Sequence, residues 1–287
     1  MTAATLLAPE IRDGMSADDY HADRTSVSST GLRKLLNPGC PAQFKYDLDH
    51  PQAPKREFDL GHAAHLLVLG EGPELEVIDF PDWKKTAARE LRDLAYDEGK
   101  VPLLTKDHEM VQAMAAAIRQ HPIAGGLFAP GTGIAERSIF FTNPATGVRC
   151  RVRPDWLKLL GPMNLCVDYK TCADASPDAI SRAIRDRAYH QQDALYTDGI
   201  DAAMPADEGT RFLFVFQSKQ APYLITVREL NPQDRDIGRA RNDRALRIYA
   251  DCTTTGVWPD WTGTVTEIPT ISMPSWDVLR QTEEYLK

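Results

Sequence analysis

The spacing of apolar side chains changes from helical to strand-like about halfway along the chain. In the first 125 residues, apolar positions recur every three or four residues, which is the period of one helix face. This pattern predicts helices behind the Ser28-Ser29-Thr30 cap, over residues 60–69, and through most of a helical insertion at about 82–125. Residues 1–26 are expected to form an extended lead-in, and residues 256–287 an irregular C-terminal strap.

Strand signals dominate the next part of the chain. Turn residues divide it into three apolar runs, and we predict strands at 134–141, 148–155 and 165–171. The elements expected after them are a helix, two strands and a helix, at residues 176–198, 211–217, 223–229 and 232–252. The order helix, three strands, helix, strand indicates one mixed α/β domain over about 27–255.

The second of these strands has an unusual polar face. Alternation over residues 148–155 gives one apolar face and one charged face, which carries Arg149, Arg151, Arg153 and Asp155. Such a strand is usually half-exposed, with a solvated basic surface. The carboxylate among the arginines favours another interpretation, in which Arg151 and Arg153 hold phosphate groups near Asp155.

The third strand supplies a second carboxylate and a lysine. Asp168 and Lys170 are two residues apart, so they project to the same face of a strand. Alone, this pair is typical of a surface salt bridge. Beside Asp155 it indicates a metal site, because two carboxylates can hold Mg²⁺ and leave positions for water and a phosphate oxygen. A lysine there stabilises the charge that develops when water attacks phosphorus, so the pattern predicts metal-dependent phosphodiester hydrolysis.

Five further side chains are candidates for the same site. His65, in an apolar helix, is either a core histidine or a minor metal ligand. Glu136 opens the first strand as a third carboxylate or as a charged strand end. Gln192 and Tyr196 share one helix face, where they either position water and phosphate or form a polar stripe. Arg182 adds positive charge to the same region.

Composition narrows the class of protein. The 287 residues are 43% hydrophobic, without an apolar run long enough to span a bilayer, and a secretory signal is not expected. The five scattered cysteines form no metal-binding pair, so a reduced, cytoplasmic setting is expected. The net charge of −8 argues against a protein that coats nucleic acid, although a nuclease can confine its positive charge to one groove.

Six pieces of the sequence, in order, resemble one family of nucleases. They are the opening over 28–44, Gly61-His62-Ala63-Ala64-His65, Glu136-Arg137-Ser138, Arg153-Pro154-Asp155-Trp156, the Asp168-Tyr169-Lys170-Thr171 motif with 173–177, and the segment 189–199. The chain thus resembles the PD-(D/E)XK nuclease superfamily over roughly residues 27–230. Within that superfamily it more closely resembles the nuclease domain of RecE (exodeoxyribonuclease VIII) and related phage or prophage exonucleases.

This resemblance implies an αβββαβ core of the restriction-endonuclease type, with a central mixed sheet flanked by helices. It implies metal ligands at His65, Asp155 and Asp168, with the carbonyl of Tyr169 as a further ligand. The motif departs from many members of the superfamily in one respect, because Asp168 stands where they carry glutamate.

The resemblance also implies roles for the remaining candidates. Lys170 would orient and activate the attacking water, and Glu136 would lie near the metal. Gln192 and Tyr196 would line the side of the site that faces DNA.

The function that follows is a double-strand DNA exonuclease that depends on Mg²⁺, with Mn²⁺ as a substitute. It would resect from the 5′ end and supply single-stranded DNA to a RecT-like annealing partner in phage-type recombination. Homo-oligomers are expected, and rings occur in this family; a membrane partner is not expected. An endonuclease or single-strand-specific nuclease of the same fold, and an inactive DNA-binding or assembly protein, stay open as alternatives.

Overall fold

A computed structural model describes residues 7–50, 59–263, 268 and 270–286 of the chain. Its strands are β1 Glu10–Arg12, β2 Val27–Ser28, β3 Leu75–Ile78, β4 Val101–Leu104, β5 Ile134–Ala135, β6 Ser138–Thr142, β7 Arg149–Val152, β8 Trp156–Leu159, β9 Asn164–Cys172, β10 Thr210–Ser218 and β11 Ile225–Arg228. Its helices are α1 Ala17–Ala22, α2 Ser29–Lys34, α3 Pro41–Asp49, α4 Asp59–Leu69, α5 Thr86–Asp97, α6 Thr105–Gln120, α7 Ala124–Leu127, α8 Pro177–Asp186, α9 Tyr189–Ala203, α10 Pro232–Thr255 and α11 Ser275–Tyr285. Part of the predicted lead-in and part of the predicted strap fall outside the described residues.

Two sheets carry most of these strands. The larger has the order β11-β10-β9-β8-β5, with β9 and β10 parallel and the other neighbours antiparallel. The second has the order β1-β6-β7-β2, in which β7 pairs antiparallel with β6 and parallel with β2. Helices cover the larger sheet, so the predicted αβββαβ core with a central mixed sheet is confirmed.

The larger sheet is buried on both faces, which explains its nearly continuous apolar strands. Successive side chains of β9 enter different cores: Cys166 packs with residues of α2 and α9, whereas Val167 and Tyr169 pack with residues of α4 and α6. On β10, Phe212, Phe214 and Phe216 belong to the first of these cores and are at most 2% exposed. Each such phenylalanine contributes roughly 1.5–3 kcal/mol of burial free energy.

Helix α9 packs tightly because two glycines remove side chains at its contacts. Gly199 of α9 lies against β6 and β7, where an added Cβ would be 2.5 Å from a ring carbon of Phe141. Gly238 of α10 lies against the start of α9, where an added Cβ would be 2.0 Å from the carbonyl oxygen of His190. Because α9 is fixed between the sheets and α10, its side chains have defined positions above β9.

Several predicted boundaries are wrong, each for a local reason. The strand expected over 148–155 ends at Val152, because Pro154 cannot donate a backbone hydrogen bond to a ladder. The helix expected over 176–198 divides into α8 and α9, because Ala188 between them adopts a left-handed conformation with φ of 49°. Both interruptions occur next to candidate site residues.

The terminal regions and the insertion contain more structure than the sequence pattern indicated. The lead-in includes β1 and α1, and the C-terminal strap includes α11. Residues 101–104 form a strand parallel to β3 rather than part of a helix. Among the described helices, none combines the length and apolarity that crossing a membrane requires.

Replacing Gly238 with alanine should destabilise the fold, since the new methyl group would collide with backbone atoms that cannot move aside. We expect the free energy of unfolding to fall by about 1–3 kcal/mol in urea titrations. Gly126→Ala in α7 is the matched control, because no atom lies within 4 Å of the added Cβ. Equal denaturation midpoints for the two variants would show that α9 and α10 are not in such close contact.

Asp193 of α9 should make stability depend on pH. Its side chain is fully buried against Arg235, with Nε 2.8 Å from Oδ1, and burial raises its pKa from 3.8 to about 6. The folded state therefore holds this proton more tightly than the unfolded state, so stability falls as pH rises between those two values.

An Asp193→Asn variant lacks this titration. Relative to the unaltered protein, it should gain up to about 3 kcal/mol between pH values of about 4 and about 7. Urea unfolding at both pH values measures the difference, and parallel pH profiles for the two proteins would contradict it.

Candidate active site

Asp168 and Lys170 lie on the face of β9 that is covered by α9. The Asp168 side chain is 1% exposed, and its two oxygens have different partners. Lys170 Nζ lies 2.6 Å from Oδ2, and Gln192 Nε2 donates a hydrogen bond of 2.6 Å to Oδ1. The structure thus brings together three residues that the sequence predicted for one site.

Asp155 lies in the short link between β7 and β8. Its Oδ2 accepts a hydrogen bond of 2.7 Å from the backbone N–H of Tyr169 on β9. The same oxygen is 3.8 Å from Nδ1 of His65, which α4 supplies from the other side. The early end of β7 therefore turns Asp155 towards β9, beside Asp168 and Lys170.

Glu136 reaches the site through an uncommon backbone conformation. It has a φ of 49°, in the left-handed region that residues with side chains rarely adopt. Its backbone N–H donates to the carbonyl oxygen of Asp155, and its Oε2 lies 2.5 Å from Nε of Arg153. Ligand atoms of His65, Glu136 and Asp155 all lie within 4.8 Å of one another. Left-handed geometry at such a position is typical of functional sites.

The site contains more carboxylates than positively charged side chains. Burial, reinforced by the charge of Asp168, raises the pKa of Asp155 well above its usual value. Burial also raises the pKa of Glu136, against the opposing effect of Arg153. Burial opposes the charged form of Lys170, but Asp168 and Asp155 outweigh it and raise the pKa of this lysine.

The pKa of His65 is shifted in the opposite direction, downwards. Burial, together with the charge of Lys170, lowers its pKa from 6.5 to about 4, so the imidazole is neutral near pH 7. A neutral imidazole with a free lone pair is the form that binds metals.

These donors fit a divalent cation. His65, Glu136 and Asp155 offer one nitrogen and carboxylate oxygens, a set that suits Mg²⁺ or Mn²⁺. A bound cation would also offset the repulsion between the carboxylates. The oxygens of Asp168 are outside this group of mutually close ligand atoms, with Lys170 Nζ beside Oδ2 and Gln192 bonded to Oδ1, and its predicted role as a ligand stays a prediction. The predicted role of the Tyr169 carbonyl stays a prediction.

The four residues predicted to contact DNA differ in their burial and in their partners. Arg151 is 7% exposed, with Nη1 3.3 Å from Oδ2 of Asp23, which favours a structural role over contact with phosphate. Arg153 pairs with Glu136. Tyr196 is half-buried against Phe212, and Arg182 is exposed on α8.

One neighbour of the site had no signal in the sequence pattern. Tyr20 of α1 lies beside both arginines, with its ring centre 5.2 Å from the guanidinium carbon of Arg151 and 5.5 Å from that of Arg153. It comes from the segment expected to be an extended lead-in, and only its aromatic side chain in a polar stretch could have marked it.

Two comparisons with known proteins agree with this geometry. A family model described as a PDDEXK-like domain of unknown function (DUF3799) matches residues 28–268. A crystal structure described as a putative exonuclease from Eubacterium rectale is similar, with a TM-score of 0.62 and 12% sequence identity. The alignment covers 92% of this chain and 97% of the other. No curated protein matches.

Asp155→Asn should stabilise the metal-free protein, because it removes a buried negative charge that Asp168 repels while keeping an oxygen for the Tyr169 N–H. We expect a gain of about 0.5–2 kcal/mol in the free energy of unfolding with a chelator present. Asp186→Asn, at an exposed carboxylate on α8, is the control and should change stability by less than about 0.5 kcal/mol. A lower stability for Asp155→Asn would mean that its charge is already compensated in the fold.

Proposed function

Because the chain belongs to the PDDEXK-like family DUF3799, we propose that it is a metal-dependent nuclease acting on DNA. The observation that carries the proposal is the arrangement of Asp155, Asp168, Lys170 and Gln192 around one point of β9. Carboxylates beside a buried ammonium group are suited to hydrolysis of a phosphodiester, in which negative charge accumulates on the phosphate oxygens.

In the proposed mechanism, His65, Glu136, Asp155 and Asp168 are the candidate residues to hold Mg²⁺ or Mn²⁺. When bound, the cation would supply Lewis-acid stabilisation of the phosphate and a more acidic water. Lys170 acts as a donor rather than a proton acceptor, because its raised pKa keeps the ammonium group charged. It orients the attacking water and stabilises the developing charge, while Gln192 holds Asp168 in place.

The substrate that we infer is an end of double-stranded DNA, digested in the 5′-to-3′ direction to give a single strand. The similar structure from Eubacterium rectale is described as a putative exonuclease, and the sequence motifs resemble those of RecE. A cytoplasmic role in phage-type recombination, with a RecT-like annealing partner, is consistent with this activity.

Digestion of an end-labelled linear duplex with Mg²⁺ tests the proposal. Label at one terminus only should be released, a covalently closed circle should persist, and a chelator should stop the reaction. Asp168→Asn and Lys170→Met should each reduce the rate by about 10³-fold or more, because each removes a group that acts on the reacting phosphate or its metal.

Arg211→Gln is the control for these variants, because Arg211 pairs with Glu229 at the far end of β10 and should not affect the rate. Cutting of the closed circle would favour the endonuclease alternative. Full activity in Asp168→Asn would contradict the mechanism, and metal binding without cleavage of any DNA would favour an inactive binding protein.

A further inference from the structure

Arg33 of α2 is a half-buried cation whose hydrogen bonds, within the described residues, go to neutral oxygens. Nη1 donates to the carbonyl oxygen of Arg187 at 2.6 Å, Nη2 to Oγ1 of Thr30 at 2.9 Å, and Nε to the carbonyl oxygen of Ser29 at 3.3 Å. Burial lowers its pKa. Within the described part of the chain, no carboxylate forms an ion pair with this guanidinium.

Other arginines near the site are paired differently. Arg151, Arg153, Arg235 and Arg239 each have a carboxylate oxygen within 3.3 Å. A charged side chain that is removed from water usually has such a partner, because the loss of hydration is otherwise not offset. Arg33 therefore lacks, within the described residues, the carboxylate partner that these arginines have. A bound anion would supply that partner.

Two more cations belong to elements next to Arg33: Arg187 follows α8, and Arg241 lies on α10, which packs against α2. Arg187 is exposed, and its positive charge contributes to lowering the pKa of Arg33. Arg241 of α10 donates from Nε to Oε1 of Gln191 at 3.0 Å, and it lowers the pKa of His190 together with Arg33. Arg33 and Arg241 thus both act on His190, and Arg187 acts on Arg33, so this side of the molecule carries an excess of positive charge that favours a negatively charged ligand.

An uncompensated hydroxyl lies on the same side of α2. Ser29 is 4% exposed, and in the described residues its Oγ has no hydrogen-bond partner. It is four positions before Arg33, so both side chains lie on one face of the helix. The face of α2 that carries Arg33 therefore has an unsatisfied hydroxyl as well as a cation without a carboxylate partner.

The first turn of α9 joins this cluster to the candidate catalytic residues. Tyr189 lies next to Lys170, with Nζ 5.2 Å from the ring centre. Gln191 contacts Arg241, and the adjacent Gln192 holds Asp168. Asp168 and Lys170 also project from β9 towards the layer formed by α2 and α9, as the position of Cys166 two residues earlier shows.

From these contacts we infer that Arg33, Arg187 and Arg241 form a second phosphate-binding site. It would hold a backbone phosphate of the polynucleotide that neighbours the phosphodiester at Asp168 and Lys170. The inference rests on the proposed nuclease function and adds to it the direction in which the DNA backbone leaves the site, past the first turn of α9.

A purely structural role is the competing explanation for Arg33, since its bonds tie α2 to the turn between α8 and α9. The two explanations differ in how binding depends on salt. A lost phosphate contact reduces the magnitude of the slope of the logarithm of the binding constant against the logarithm of salt concentration by about 0.7–0.9. A lost internal tether lowers stability and leaves that slope unchanged.

The test is equilibrium binding of a fluorescein-labelled duplex and of the matching single strand, with a chelator present to prevent cleavage. Salt is varied between about 50 and about 200 mM. Arg33→Gln and Arg241→Gln should each weaken binding by about ten-fold, as expected for the loss of one charge-assisted hydrogen bond. Each should also reduce the magnitude of the salt slope by about 0.7–0.9. Arg33→Lys should keep the slope and lose part of the affinity, because it retains the charge without the planar fork.

Arg211→Gln is again the matched control, and its binding should equal that of the unaltered protein. Thermal melting of every variant shows whether a loss of binding follows a loss of folding. Unchanged slopes in both Arg33→Gln and Arg241→Gln, in a protein that otherwise cleaves and binds DNA, would overturn the second site alone. No salt-dependent binding and no metal-dependent cleavage by the unaltered protein would overturn the proposed function and this site together.

Discussion

The structure depends on holding Asp155 and Asp168 close together where water has little access. Each carboxylate is costly to bury, and their proximity makes the ionised forms costlier still, as the raised pKa of Asp155 shows. Lys170 offsets part of that charge through its contact with Asp168. A site with an excess of fixed negative charge binds a divalent cation strongly for the same reason that it destabilises the protein alone. Stability and chemistry are therefore opposed at this point of the fold.

The rest of the fold is rigid enough to keep Asp155 and Asp168 together in spite of their repulsion. Strand β9 pairs with β10 along its whole length, and beyond the end of β8 the Asp155 carboxylate accepts the hydrogen bond of the Tyr169 N–H, so Asp168 and Lys170 are held on one face. Helix α9 is equally constrained, because Gly199 and Gly238 allow backbones and rings to approach closely on two sides. The fixed helix therefore keeps Gln192 in position to donate its hydrogen bond to Asp168.

Much of the site was predictable because its residues are close in sequence and follow the period of a strand. Asp168 with Lys170 is such a pair, and the order of motifs placed His65, Glu136 and Gln192 around it. The partners of the arginines were not predictable, because Arg151 with Asp23 and Arg153 with Glu136 are tertiary contacts across long separations. The left-handed conformations at Glu136 and Ala188 were hidden as well, since neither residue type signals a positive φ. These two positions shape the site, so local rules failed next to the functional residues.

Arg153 connects the candidate metal ligand Glu136 to the beginning of the chain. While Nε bonds Glu136, Nη1 donates to the carbonyl oxygens of Met15 and Ser16, at 2.9 and 3.2 Å. The region that matches the family model begins only at residue 28. The backbone that holds this arginine thus lies outside the matched region, and a boundary drawn from family similarity would remove contacts that position a candidate metal ligand. Relatives that share the matched region but differ before it would have to hold this arginine by other means.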